Sequence, residues 1–419
     1  RDMYLDAEGQ PVPRASVDGP LAAGIPGEPA GLVHLAENYG TLPLSTLLAP
    51  AIAHAEQGFP IGRRALLGLR FRTRTILRSS AMAEVFLRDG QPPAEGTIIT
   101  QPDLANTLRR LAEQGAAGFY AGETARLLVD GVREAGGIWT LDDLATYRVI
   151  EREPLITEYA GMRVVSAPPP SSGGIVLAQI FNFLDGYDLE AMSEAQRTHY
   201  VVEAMRRAYR DRAVYLGDPG FTAMPLEMLL DKHYMAGQRI SVAPDKATPS
   251  ETLVGIANDA SEGSQTTHFS ILDDRGNRVA ATITVNTWYG SGFMAPGTGI
   301  VLNNEMDDFS IKPGVPNDFE LVGKEANEVE PGKRPLSSMS PSFLESERGV
   351  AVVGTPGGSR IITMVLRAAL AWQDGATARE MVEQKRFHHQ YLPDEISFEP
   401  DAITASAQAE LERMGHELS

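Results

Sequence analysis

The sequence contains no cysteine in 419 residues. That removes disulfides, thiolate metal sites and cysteine nucleophiles together. No serine stands in a GxSxG elbow, so the usual serine nucleophile is absent as well. Positive charge is in short supply. The 37 Lys and Arg against 55 Asp and Glu give a formal charge of -18, with a pI near 4.9, which opposes phosphate backbones and excludes nucleic acid as an expected partner. No run of 18 or more apolar residues is present to span a membrane. There is no internal repeat and no low-complexity tract. The opening RDMYLDAEGQPVPR has neither an initiator Met nor the apolar core of a signal peptide, and LERMGHELS stops on a helical pattern with no closing element. A trimmed or processed chain is the expectation.

What is present is a succession of helical patterns in the first half and strand patterns in the second. Residues 1–40 are rich in turn formers and read as irregular. Apolar spacing with local stops predicts helices over Leu44–Gln57, Asp103–Gln114, Thr124–Ala135, Ile175–Leu184 and Glu194–Leu216. In the last of these, Val201, Val202, Met205, Ala208 and Tyr209 form the expected buried stripe, with Arg206, Arg207, Asp211 and Arg212 on the polar face. A strand is expected at Met162–Ser166, then the rigid corner PPPSSGG. From about Val242 to Ser264 the composition turns to Pro, Asp, Ser and Gly, which reads as an exposed surface linker. A hairpin follows, with strands from Thr267 and over Val279–Val285. The continuous VAATITV suits a strand covered on both faces. Further on, a strand at Gly349–Val353 leads through GTPGGS into a buried helix from Arg360 to about Trp372.

Several of these pieces carry chemistry. Gly357 and Gly358 at a strand-to-helix corner present backbone N–H groups at the positive end of a helix, suited to a phosphate, a carboxylate or an oxyanion; a purely structural corner is the alternative. GTPGGSR lacks the spacing and Lys of a phosphate loop. Asn303, Asn304, Glu305, Asp307 and Asp308 are all oxygen donors but fail the calcium-loop spacing. Neighbouring His388 and His389 point apart, so no metal is expected. An amino-acid ligand fits better: carboxylates for its ammonium, and the Ser337 and Ser338 hydroxyls for its carboxylate. For the nucleophile, a threonine can use its own α-amino group as base if the chain is cut just before it. Thr266, between linker and hairpin, is the candidate, although a threonine at a strand start is ordinary.

The runs TTHFSILDDRGNRVAATITVN, NNEMDDFS, KPGVPN, RPLSSMSP, GTPGGSRI and RFHHQYLPDE, with PPPSSGG and YLGDP ahead of them, resemble the γ-glutamyltransferase (γ-glutamyltranspeptidase) family in order and content. The resemblance implies an α+β fold, the four-layer αββα sandwich of the N-terminal-nucleophile hydrolases. It implies one precursor that cuts itself at Gln265-Thr266 into a large-subunit region, 1–265, and a small-subunit region, 266–419, folded as one unit. It implies Thr266 as nucleophile, Thr284 as its supporting hydroxyl, and Gly357 with Gly358 as oxyanion hole. Asn286, Glu305 and Asp308 match the residues that hold the substrate ammonium, and Ser337 with Ser338 the carboxylate binders. The implied reaction is γ-glutamyl transfer or hydrolysis on glutathione and similar amides, with water or an amine as acceptor, no cofactor, and a periplasmic or extracellular setting. The alternatives are a glutaryl β-lactam acylase of the same fold and an unprocessed amino-acid-binding form. Two departures stand out. The family's carboxylate-pairing Arg belongs to a segment ahead of this chain's first residue. Phe319 stands where many bacterial members have a lid Tyr, which implies a hydrophobic closure, and Trp288 implies an aromatic wall on the acceptor side.

Overall fold

The computed structural model describes residues 2–253 and 266–419. Its contacts divide into two compact units. One comprises the described residues of 152–283 and 308–419 with Asp2 and Met3; the other comprises 4–151 and 284–307.

The first unit is built on a four-stranded antiparallel sheet in the order Leu155–Tyr159, Met162–Ser166, Ser342–Ser346, Gly349–Val353. Ala160 and Gly161 close the first hairpin, both at positive φ (48° and 80°), as a tight two-residue turn requires. Met162 and Val164 alternate inward along their strand and are wholly buried. Three helices complete the core: Gly173–Leu184, Glu194–Tyr215 and Arg360–Gln373. Every residue of Gly173–Leu184 is buried, as its predominantly apolar sequence demands. Each of its two polar residues donates one hydrogen bond, Gln179 to Asp211 (2.8 Å) and Asn182 to the Leu230 carbonyl (3.1 Å). The central helix, Glu194–Tyr215, opens on a capping box of Ser193 and Gln196.

Three expectations are corrected here. Arg206, Arg207, Asp211 and Arg212 do not face water; each is at most 4% exposed. They are buried because partners from elsewhere meet them. Glu203, 0% exposed, pairs with Arg206 and Arg207 and accepts from the Thr248 amide (3.0 Å). Arg206 also reaches Asp394 and the Ser250 hydroxyl (2.6 Å). The same ionic knot corrects the surface-linker reading in part over 242–253: Ser250 is fully buried and its amide donates to Asp394 (2.6 Å), while Pro244, Asp245, Lys246, Pro249, Glu251 and Thr252 are exposed as expected. Gln265 and the rest of that stretch lie outside the described residues. The hairpin, finally, is not covered on both faces. Its strands run Thr266–Leu272 and Arg278–Thr284, and Phe269, Ile271, Leu272 and Val279 are all about 40% exposed or more. One strand lies along Gly349–Val353, and among the described residues no helix covers the other face.

The second unit is helical. Helices Leu44–Gln57 and Pro102–Gln114 pack together, and one core gathers Val33, Phe119, Leu128 and Trp139, a second Ile61, Leu69, Ile76 and Met82. A helix at Glu28–Asn38 replaces part of the irregular path expected for residues 1–40; Pro29 in its first turn starts it rather than breaking it. Trp288 packs on the backbone at Gly68, where an added Cβ would lie 2.3 Å from the indole, so its ring here is a structural contact. No described helix is long and apolar enough to cross a membrane.

Candidate active site

The strand Gly349–Val353 runs out into 354–359 and then into the helix Arg360–Gln373. Gly357 (φ 148°) and Gly358 (φ 54°) occupy conformations that suit glycine. Space demands it as well: a Cβ on Gly358 would lie 2.5 Å from the Phe319 ring, and one on Gly357 2.3 Å from the end of Met364. Phe319 is 8% exposed and held through its carbonyl by Gln390 (3.2 Å) and its amide by Asn317 (3.0 Å). The Phe319 ring thus rests on the glycine corner. The Tyr209 hydroxyl donates to the Ser359 carbonyl (2.5 Å), fixing the corner to the central helix. A cleft of about 400 Å³ opens beside it, lined by Phe319, Glu320, Gly357, Ser359, Arg360 and His388 among others.

Thr266 begins the hairpin. Ser270 donates to the Val352 carbonyl (3.0 Å), and the His268 ring lies against Gly354. The two segments run antiparallel at these points.

A second, small cavity has Arg212, Asp308, Ser310, Asn327 and Leu336 in its wall. Asn327 organises it: its side chain donates to the Asp308 carbonyl (2.7 Å) and accepts from the Leu336 amide (3.0 Å). Asp218 of YLGDP, 4% exposed, accepts from the Arg334 amide (2.9 Å) and so anchors the approach to the serines. Ser337 is held on PPPSSGG. Its amide donates to the Pro170 carbonyl (2.9 Å), and its carbonyl accepts from the Ser172 amide and hydroxyl (both 2.8 Å). That corner is thus a support for the serine pair. The Ser338 hydroxyl accepts from Arg212 (3.2 Å), which also donates to the Ser172 hydroxyl (2.9 Å). Burial pulls the Arg212 guanidinium below its ordinary pKa, while the Asp308 charge works the other way.

Thr284, Asn286 and Glu305 belong to the second unit. The Thr284 hydroxyl accepts from the Asn286 amide (2.8 Å), and the Asn286 side chain donates to the Asn304 carbonyl (3.1 Å). Glu305 and Asp308 open and close one 3-10 turn, and the Glu305 amide is held by Asn303 (2.9 Å). Asn303, Asn304 and Asp307 serve the local structure; Asp307, 1% exposed, accepts from Ser16 (2.6 Å).

The sequence reasoning missed Arg212 and Asn327. The sequence pattern puts Arg212 on the polar face of its helix and gives no signal at Asn327; only tertiary contacts reveal either. His388 and His389 do point apart, His388 to Thr363 and Gln390 (both 2.8 Å), His389 to Asp394 (3.1 Å). The nearest approach to a metal-ligand set among the described residues is His199, Glu203 and His416, with ligand atoms within 4.8 Å. It suits a cation poorly, since Glu203 already answers two guanidiniums and the two rings bond each other (2.8 Å).

The gamma-glutamyltranspeptidase family profile matches residues 1–419. The chain belongs to the gamma-glutamyltranspeptidase family. A glutathione hydrolase proenzyme from Pseudomonas sp. (strain A14) is 44% identical over 424 residues, covering 100% of this chain and 73% of that protein. Among solved structures, a cephalosporin acylase from Bacillus halodurans superposes with a TM-score of 0.82 at 26% identity, over 96% of this chain and 72% of that one. The gamma-glutamyltranspeptidase of Helicobacter pylori gives 0.59 at 40% identity, over 60% of this chain and 73% of that one. The α+β fold is that of the N-terminal-nucleophile hydrolases, and the family makes this chain an enzyme of the hydrolase and acyltransferase class.

Proposed function

We propose that this family member transfers or hydrolyses γ-glutamyl groups, with Thr266 as nucleophile after the chain cuts itself at Gln265-Thr266. The observation that carries the reading is the second cavity: Asp308 is in its wall, and Arg212 in the same wall is bonded to Ser338. An acid on one side and a hydroxyl backed by a cation on the other complement the ammonium and carboxylate of an α-amino acid.

In this mechanism the free α-amine of Thr266 takes the proton of its own hydroxyl as the oxygen attacks the γ-carbonyl. Thr284 supports that hydroxyl. The oxyanion is held by backbone N–H groups at Gly357 and Gly358, each worth about 2.7 to 4 kcal/mol at the transition state. Collapse expels the amine, which leaves with the proton, and a γ-glutamyl ester remains on Thr266. Water or a second amine attacks the ester, and the threonine oxygen regains its hydrogen. Asn286, Glu305 and Asp308 hold the donor's ammonium, and Ser337 with Ser338 its carboxylate. Glutathione is the donor class favoured by the names of the relatives, in a periplasmic or extracellular setting, and the two subunits stay together as one fold.

The structural likeness to a cephalosporin acylase supports a second reading, cleavage of glutaryl side chains. Asp308 argues against it, because a glutaryl group brings no ammonium to that acid. Two measurements test the proposal. Intact mass should show cleavage before residue 266 in the wild type and none in Thr266→Ala. Comparison of γ-glutamyl with glutaryl anilides should favour the former; turnover of the γ-glutamyl anilide by Thr266→Ala, or preference for glutaryl, refutes it.

A further inference from the structure

A guanidinium has five donors and no acceptor. A hydroxyl that accepts from it must therefore aim its own hydrogen elsewhere. Arg212 imposes this on two serines at once, through Nε to Ser172 (2.9 Å) and through Nη2 to Ser338 (3.2 Å). The Ser172 hydrogen goes to the Ser337 carbonyl (2.8 Å). For the Ser338 hydrogen there is no acceptor among the described residues.

The charge tells the same story. Arg212 is 4% exposed, and among the described residues no carboxylate lies within ion-pair distance of it. Asp308 acts on it only electrostatically, from the wall of the same cavity. A buried cation bonded to two neutral hydroxyls is incompletely compensated. A carboxylate placed at the Ser338 hydroxyl would accept the spare hydrogen and answer the charge behind it.

We infer that Arg212 is a positioning residue for the donor's α-carboxylate, acting through the Ser338 hydroxyl. The inference rests on the γ-glutamyl reading above. Arg212 fixes which way the Ser338 hydroxyl points, and its charge strengthens that hydroxyl as a donor. It makes the site selective for donors that carry an α-carboxylate, without touching the scissile bond.

The test uses the processed full chain and two donors, γ-glutamyl-p-nitroanilide and 4-aminobutyryl-p-nitroanilide, which keeps the amine and lacks the carboxylate. Arg212→Gln should raise KM for the first by about 10- to 100-fold, the size of one hydrogen bond to a charged group, with kcat within about threefold. On the second, kcat/KM should stay within that same small factor. Arg212→Lys, which keeps charge without the planar fork, should fall between. Equal losses on both donors, or a fall in kcat at constant KM, overturn the inference. Should Arg212→Gln fail to fold, Arg212→Lys carries the test by the same donor-selective rise. Failure of the underlying reading looks different: the wild type itself would not prefer the donor with the carboxylate.

Discussion

Replacing Gly358 with alanine probes the contact between the glycine corner and the Phe319 ring. The new Cβ would lie 2.5 Å from one carbon of the Phe319 ring and 2.7 Å from the next, about 1 Å inside ordinary contact. Phe319 is 8% exposed and its backbone is held by Gln390 and Asn317, so its loop resists the shift that would relieve the clash. Overpacking of this kind costs about 1 to 3 kcal/mol. The backbone at φ 54° adds about 1 to 2 kcal/mol for a residue with a Cβ. A stability loss of about 2 to 5 kcal/mol follows, read as a shift in the urea midpoint. If the corner moves to relieve the clash, its N–H groups leave their alignment, and kcat falls by about 10²- to 10³-fold per donor lost. Adding Phe319→Ala removes the clash but not the backbone cost. In a Phe319→Ala background the loss caused by Gly358→Ala should therefore shrink to the backbone cost of about 1 to 2 kcal/mol. Wild-type stability and kcat in Gly358→Ala, or strictly additive effects, would show that ring and corner are not coupled as described.

Acid should unfold this protein early. Burial holds His388 and His416 down at about 3 and His389 at about 4, against an ordinary 6.5. Stability from such groups is fully present above the unfolded value and is lost as pH falls toward the folded ones, about 2 kcal/mol for each histidine between pH 7 and pH 5. Urea midpoints that stay flat over that window would contradict the burial. In the ionic knot, Glu203→Gln leaves Arg206 and Arg207 without their shared carboxylate at 0% exposure. It should cost about 3 to 5 kcal/mol, measured by thermal and urea unfolding, and a change under 1 kcal/mol would refute the account.

Much of the scaffold was legible in sequence because its signals are local. The helix Leu44–Gln57 and the strands Met162–Ser166 and Gly349–Val353 have the bounds that period and punctuation predicted. Gly357 and Gly358 were legible for the same reason, as a corner no other residue fits. What was illegible depended on partners far away in the chain. Arg206 is buried because Asp394, 188 residues on, meets it, and no local pattern carries that fact. The same holds for Arg212, whose serines come from two distant loops. The hairpin misled in the opposite sense: VAATITV has the composition of a covered strand, but the elements packed around it decide its exposure.

The central helix Glu194–Tyr215 joins two things that would otherwise be independent. Glu203 and Arg206 in its middle lie in the ionic knot, and Arg212 near its end stands in the cavity wall. Nine residues separate Glu203 from Arg212, about 14 Å along an unbroken helix with no proline or glycine to act as a hinge. Such a helix behaves as a lever. A substitution that shifts the knot would therefore be felt at the cavity wall, and one at the wall would be felt in the knot.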